Sequence, residues 1–101
     1  MAQLGLFASV LKARRRSLNL TMEQMARLTK TTKSYVSGVE NGRINPFGPR
    51  KVPKVALVLG VDVRAMAILA WADKAHKTVR GEVQTMAKVW VRKHYGKIEG
   101  L

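Results

Sequence analysis

The chain is 101 residues long, which corresponds to one domain, and its 19 lysine and arginine residues outnumber its 6 acidic residues to give a formal charge of +13. Because 47% of the residues are apolar and cysteine is absent, a disordered basic tail, a disulfide framework and a cysteine-type zinc site are excluded. The charge predicts a polyanionic partner, which is either nucleic acid or an anionic membrane surface.

The first two helices are predicted by apolar spacings of three and four residues, which recur along the chain and indicate an all-α protein. Arg15 lies on the apolar stripe of the first helix, four residues after Leu11 and three before Leu18. The second helix follows Thr21, because Thr21 and Gln24 have the spacing of an N-capping threonine and its capping-box partner. An arginine therefore occupies an inward-facing position in the first helix.

A third helix is predicted after Thr32 and ends before Gly42, a residue suited to the position just past a helix end. Only about three residues separate it from the second helix, a spacing typical of a helix-turn-helix. Its inward residues are Val36, Val39 and Glu40. The opposite face is small and polar and consists of Lys33, Ser34, Ser37, Gly38 and Asn41. Such a face can enter the major groove of DNA, which is about 12 Å wide.

Proline and glycine residues mark a loop after the third helix, and this loop carries the basic residues Arg43, Arg50 and Lys51. A fourth helix follows and ends at Gly60, and Asp62 caps a fifth helix. In the sequence, the basic loop therefore directly follows the helix that carries the small polar face.

The C-terminal segment forms either a sixth helix capped by Thr78 or a continuation of the fifth helix, which Gly81 would weaken by only about 1 kcal/mol. A break is favoured. The fifth helix is apolar on more than one side, and the last segment carries an apolar stripe, so both have surface to bury. The residues predicted to form a dimer or partner interface are Ile68, Leu69, Val79, Val83, Met86 and Trp90. The alternative is that the segment folds back on the bundle.

From Leu11 to about Trp71 the sequence resembles the phage repressor and Cro type of helix-turn-helix domain, also called the XRE family. The resemblance rests on the segments LNLTMEQMA, TTKSYVSGVENGR and VPKVALVLGVDV. It implies a five-helix, lambda-repressor-like bundle that binds DNA, over residues 1–76, with an additional amphipathic helix in residues 77–101. It also implies a structural ion pair between Arg15 and Glu40, and a buried charge requires such a partner. Alternatively, each charge reaches the rim and is solvated.

The DNA contacts are likewise implied by the resemblance. Base contacts would come from Lys33, Ser34, Ser37 and Gly38, although Gly38 lacks the long polar side chain usual in the family and offers only close backbone approach. Contacts to the DNA backbone or flanking positions would come from Thr21, Gln24, Thr32, Tyr35, Asn41, Arg43, Arg50 and Lys51. The alternatives are that Tyr35 packs against the neighbouring helix and that the basic loop is only solvated.

The favoured function is a transcriptional regulator of bacterial, phage or plasmid origin, a repressor that binds palindromic double-stranded DNA as a homodimer with recognition helices about 34 Å apart. The alternatives are an antitoxin that binds a protein partner through its C-terminal segment, and a nonspecific architectural or RNA-binding protein. An enzyme is not expected, because no nucleophile–base pair or phosphate-binding glycine loop is visible. No cofactor, metal site or membrane span is expected, and the absence of an export signal predicts a cytoplasmic protein.

Overall fold

The computed structural model describes residues 5–101, which form six α-helices and contain no strand. The helices are α1 (Leu6–Ser17), α2 (Met22–Thr29), α3 (Lys33–Glu40), α4 (Val52–Leu59), α5 (Val63–Asp73) and α6 (Arg80–Tyr95). The prediction of an all-α bundle with an additional C-terminal helix is therefore confirmed. Residues 1–4 of the domain predicted over residues 1–76 lie outside the described part of the chain.

Local capping chemistry determines where α2 and α5 begin. The Thr21 hydroxyl accepts a hydrogen bond from the Gln24 N–H at 3.0 Å, and the Gln24 side chain accepts one from the Thr21 N–H at 2.8 Å. Asp62 accepts a hydrogen bond from the Arg64 N–H at 2.8 Å, and this bond lowers the pKa of Asp62. Both predicted caps are confirmed, because each satisfies an amide that the first helical turn leaves free.

The start of α1 is capped by a residue from another helix. Gly5 at the N-cap has no side chain, and the Asp73 carboxylate of α5 accepts hydrogen bonds from the Leu6 and Phe7 N–H groups at 2.9 and 2.8 Å. Gln84 of α6 donates to the same carboxylate at 2.9 Å. A Cβ atom on residue 5 would lie 2.5 Å from Asp73 Oδ2, so this close approach requires glycine. Asp73 thus links α1, α5 and α6.

The core is formed by residues from all six helices and by one aromatic residue from the α3–α4 loop. The largest buried side chains include Phe7, Leu11, Met25, Val36, Val39, Phe47, Val55, Leu59, Met66, Leu69 and Val91. The ring centroid of Phe47 lies 5.9 Å from that of Phe7 and 5.1 Å from that of Tyr35. Because Phe47 is fully buried, it anchors the loop to the bundle shortly after α3.

The favoured break between α5 and α6 is present, but the cap predicted at Thr78 is wrong. Val79 is the N-cap of α6 and makes no side-chain capping bond. The Thr78 hydroxyl lies 2.7 Å from Nδ1 of His76, so it is engaged in the connecting turn. Along α6, Ala87 and Val91 are buried.

The last residues of the chain return to α1. The Arg14 guanidinium pairs with Glu99 at 2.5 Å and donates from Nε to the Leu59 carbonyl at 2.9 Å. The Ser9 hydroxyl donates to the Gly100 carbonyl. Since α6 also packs against α5, residues 77–101 contact the bundle at two places.

Candidate nucleic-acid interface

The turn between α2 and α3 consists of Lys30–Thr32 and is fixed at both ends. Lys30 ends α2 in the left-handed conformation with a φ of 56°, and Thr32 begins α3 by accepting a hydrogen bond from the Tyr35 N–H at 3.1 Å. The Lys51 ammonium donates to the Thr29 and Lys30 carbonyls at 3.0 and 3.2 Å. The Lys51 bonds satisfy carbonyls at the C-terminus of α2 and tie this end of the helix to the start of α4.

A buried ion pair connects the first helix to the end of α3. Arg15 Nε donates to Glu40 Oε2 at 2.7 Å, and Arg15 Nη2 donates to Glu40 Oε1 at 3.1 Å, so the pair is bidentate. Arg15 Nη1 also donates to the Leu20 carbonyl at 2.8 Å. Arg15 is 7% exposed and Glu40 is 1% exposed, so neither charge is solvated at the rim. The structure therefore brings together the two residues that the family resemblance paired, and the pair holds α3 against α1.

The outward face of α3 presents short polar side chains and one lysine. Lys33 and Ser34 are exposed, and the Lys33 ammonium lies 3.2 Å from Glu23 Oε1 of α2 in a solvent-exposed ion pair. The Ser37 hydroxyl accepts hydrogen bonds from Asn41 Nδ2 at 3.2 Å and from Arg43 Nη2 at 3.4 Å. Ser37 is thereby oriented by its neighbours, whereas Lys33 shares its ammonium group with Glu23.

Gly38 does not face the solvent, which corrects the prediction that its backbone approaches base edges. Gly38 is buried, and a Cβ atom at this position would lie 2.4 Å from Cδ1 of Ile44. The Ile44 side chain therefore covers Gly38 and occupies the space that a longer residue at position 38 would fill. Ile44 was not among the predicted site residues, and the missing side chain at position 38 was the signal that a neighbour fills this space.

The other residues predicted to contact DNA lie around this face, and they differ in how far their side chains are already engaged in the fold. Asn41, Arg43 and Arg50 are exposed next to α3, and Thr21, Gln24 and Thr32 are exposed but use their side chains as helix caps. The Tyr35 ring is half-buried and packs edge-on against Phe47 of the α3–α4 loop, rather than against a neighbouring helix as the alternative for this residue proposed. Lys51 is half-buried and holds the end of α2, so its position corresponds to a structural role.

The residues predicted for a dimer or partner interface separate into three groups. Leu69 is fully buried in the core, so its assignment to an interface is corrected. Ile68 and Val83 are half-buried. Val79, Met86 and Trp90 are exposed by 45%, 62% and 53%, and Val89, which was not predicted, is exposed by 62%. Met86, Val89 and Trp90 lie within five residues on α6 and are here called the α6 patch.

Residues 5–101 contain neither a membrane-spanning helix nor a cluster of potential metal ligands. None of these helices has the length and apolar character needed to span a membrane. In the same part of the chain, no group of three or more histidine, cysteine, aspartate or glutamate residues has an arrangement that could hold a metal ion.

Two short helices, a three-residue turn and an exposed polar face on the second helix define a helix-turn-helix protein. A family model described as "Helix-turn-helix" matches residues 11–65, which is more than half of the chain. The chain therefore belongs to this helix-turn-helix family, and the predicted membership of the XRE family is confirmed. This family places the protein in the class of DNA-binding transcriptional regulators.

The fold is similar to that of a solved structure, whereas the sequence has no match among curated proteins. The chain is similar to the crystal structure of the clp gene regulator ClgR from Corynebacterium glutamicum, with 20% sequence identity and a TM-score of 0.57. The alignment covers 95% of this chain and 98% of that chain, so the similarity of fold includes the C-terminal helix. No curated protein matches the sequence.

Proposed function

We propose that the protein is a sequence-specific regulator of transcription, a repressor that binds a palindromic operator in double-stranded DNA as a homodimer. The observation that carries this proposal is the outward face of α3, which is small, polar and exposed while the opposite face is locked to α1 by the Arg15–Glu40 pair. A helix that discriminates bases must be held in one orientation, because hydrogen bonds to base edges depend on direction.

In the proposed complex, α3 lies in the major groove with Lys33 and Ser34 leading. The Lys33 ammonium donates to O6 or N7 of guanine after it separates from Glu23. This separation costs little, because the two side chains are 63% and 66% exposed and a solvent-exposed ion pair contributes only about 0–1 kcal/mol. The short serine side chains allow the helix to approach the floor of the groove.

Contacts to the phosphates supply affinity that does not depend on sequence. Arg43 and Arg50 are exposed on the loop that follows α3, and Asn41 is exposed at the end of α3 itself. The exposed caps of α2 and α3, Thr21 and Thr32, mark helix N-termini where free amides favour an anion. Each neutralised phosphate releases counterions, so this binding weakens as salt increases.

The proposed dimer forms through the α6 patch. Met86, Val89 and Trp90 are each more than half exposed, and the Trp90 ring stacks on His94 at a centroid distance of 3.8 Å. A large exposed apolar surface on a small protein marks an interaction site. A two-fold axis at this patch would present two recognition helices to half-sites about 34 Å apart.

The first experiment selects random duplex DNA with the purified protein at about 150 mM salt, close to physiological ionic strength. Enrichment of a palindrome with half-sites one helical turn apart supports the proposal. A pool that is bound equally well without enrichment contradicts sequence specificity and favours the architectural alternative.

A second experiment tests the dimer by sedimentation equilibrium of Trp90→Glu. This variant is expected to be a monomer, because a carboxylate would replace an aromatic contact in the buried centre of the interface. Leu57→Glu is the matched control, since Leu57 is 74% exposed on α4 and the change of charge is the same. An unchanged mass for Trp90→Glu would contradict the proposed interface and leave the α6 patch to a protein partner, as the antitoxin alternative requires.

A further inference from the structure

Ile44 lies on the DNA-facing side of α3 although it belongs to the following loop. Ser34, Ser37, Gly38 and Asn41 share one helix face, because they are separated by three or four residues. A Cβ atom on Gly38 would lie 2.4 Å from Cδ1 and 2.7 Å from Cγ1 of Ile44, so the Ile44 side chain lies over this face. It is 38% exposed, which leaves apolar surface available for contact.

The backbone fixes Ile44 in this position. The Gly38 carbonyl accepts hydrogen bonds from the Arg43 and Ile44 N–H groups at 2.8 and 3.1 Å. Three residues after Ile44, the chain reaches the buried Phe47, which directly follows Pro46. The backbone at Ile44 is therefore fixed on one side by the end of α3 and on the other by the buried Phe47. A residue that contacts a base requires such a fixed backbone position.

The adjacent hydroxyl of Ser37 accepts hydrogen bonds from two neighbouring side chains. A serine hydroxyl has one donor hydrogen and two acceptor lone pairs. Asn41 Nδ2 at 3.2 Å and Arg43 Nη2 at 3.4 Å both donate to Ser37 Oγ. Neither bond uses the hydroxyl hydrogen, and Ser37 can therefore donate to an acceptor on a base.

We propose that Ser37 and Ile44 together select a thymine in each half-site of the operator. Thymine alone presents an acceptor, O4, next to a methyl group, C5-methyl, on its edge in the major groove. Guanine and adenine present acceptors without a methyl group, and cytosine presents a donor. The Ser37 hydroxyl donates to O4, and the Ile44 side chain contacts the methyl group. This inference rests on the proposed binding of double-stranded DNA.

The test uses the operator obtained by selection and removes one methyl group at a time by replacing each thymine with deoxyuridine. For the unaltered protein, we expect affinity to fall about threefold to tenfold at one thymine per half-site, as the loss of a buried methyl predicts. For Ile44→Ala, the same replacement should cause no further loss, because the contact is already absent. Leu57→Ala, altered on the exposed face of α4, should retain the full loss and serves as the control.

Gly38→Ala provides a second variant that keeps the isoleucine. Its new Cβ atom would displace the Cγ1–Cδ1 arm of Ile44, which can turn away by a change of side-chain rotamer. We expect this variant to lose the response to deoxyuridine as Ile44→Ala does, while its thermal unfolding midpoint shows that it remains folded.

Three results would overturn the inference. If every thymine of the selected operator can be replaced without loss, no methyl group is contacted. If Ile44→Ala keeps the loss of the unaltered protein, the methyl contact belongs to another residue. Both results leave sequence-specific binding intact, whereas a selection that enriches no sequence overturns the proposed function itself and this inference with it.

Discussion

The outer face of α3 exposes Lys33 and Ser34, whereas the outer face of α6 exposes Met86, Val89 and Trp90. The α3 face is backed by a bidentate buried ion pair, and the α6 face is backed by the small and branched residues Ala87 and Val91. Hydrogen bonding to bases demands orientation, so α3 requires a directional anchor, but apolar contact depends mainly on area. The difference suggests that α3 and α6 serve two kinds of partner.

The largest effect should come from removal of the α3 anchor. Glu40→Ala leaves Arg15 buried without its counterion, so we expect the free energy of unfolding to fall by about 3–5 kcal/mol. Denaturant titration followed by circular dichroism measures this loss. Glu23→Ala is the matched control, because it removes a solvent-exposed ion pair of α2 and α3 and should change stability by less than about 1 kcal/mol. Equal stability of both variants would show that the buried pair does not anchor α3.

Within the DNA-binding face, base contacts can be separated from phosphate contacts. Lys33→Ala should relax the preference at one base pair by about 1–3 kcal/mol, because it removes a donor to guanine. Arg43→Ala should weaken binding to all sequences about equally and reduce the salt slope by about 1. Repeating the DNA selection and the salt titration on both variants measures these effects. Identical preference profiles for the two variants would contradict the assignment of the α3 face.

The hydrogen bonds through which Asp73 links α1, α5 and α6 should also contribute to the free energy of unfolding. Asp73→Ala removes the acceptor for the Leu6 and Phe7 N–H groups, and we expect a loss of about 1–2 kcal/mol in unfolding free energy. Asp62→Ala, which removes a local and solvent-exposed cap of α5, should cost less. If Asp73→Ala loses no more unfolding free energy than Asp62→Ala, the Asp73 hydrogen bonds do not stabilise the contact between the three helices.

The pKa shift of Asp62 gives its cap a defined pH dependence. The Arg64 N–H lowers the pKa of this carboxyl in the folded protein, so the unfolded chain binds the proton more tightly. The contribution of the cap is therefore present above the ordinary aspartate pKa and is lost as pH falls through the lowered value.

The elements that could be predicted from the sequence are those with local signals. Thr21 with Gln24, and Asp62, cap helices within three residues of themselves. Thr32 caps α3 in the same way and so marks the end of the short turn after α2. The capping of α1 by Asp73 joins residues 66 and 67 positions apart, and no local pattern indicates such a contact. The burial of Phe47 has the same cause, because its partner Phe7 belongs to α1.

Two errors in the predicted site arose from assigning the faces of helices by spacing alone. Leu69 belongs to the apolar surface of α5 that was predicted to form an interface, but it is fully buried in the core. A helix with apolar residues on two sides has no unique inward face until its neighbours are known. Gly38 falls on the outward face of α3 by spacing, but Ile44 of the next loop covers it.

The smallest expected effect concerns Glu23, the acidic residue that pairs with Lys33 of the base-contacting face. Its carboxylate holds Lys33 at 3.2 Å in the free protein and would lie close to DNA phosphates in the complex. Glu23→Gln should therefore raise DNA affinity about twofold to fivefold at low salt, and the gain should shrink as salt screens the charges. Glu82→Gln on α6 makes the same change of charge away from α3 and should leave affinity nearly unaltered. A loss of affinity for Glu23→Gln would mean instead that Glu23 positions Lys33 for its base contact.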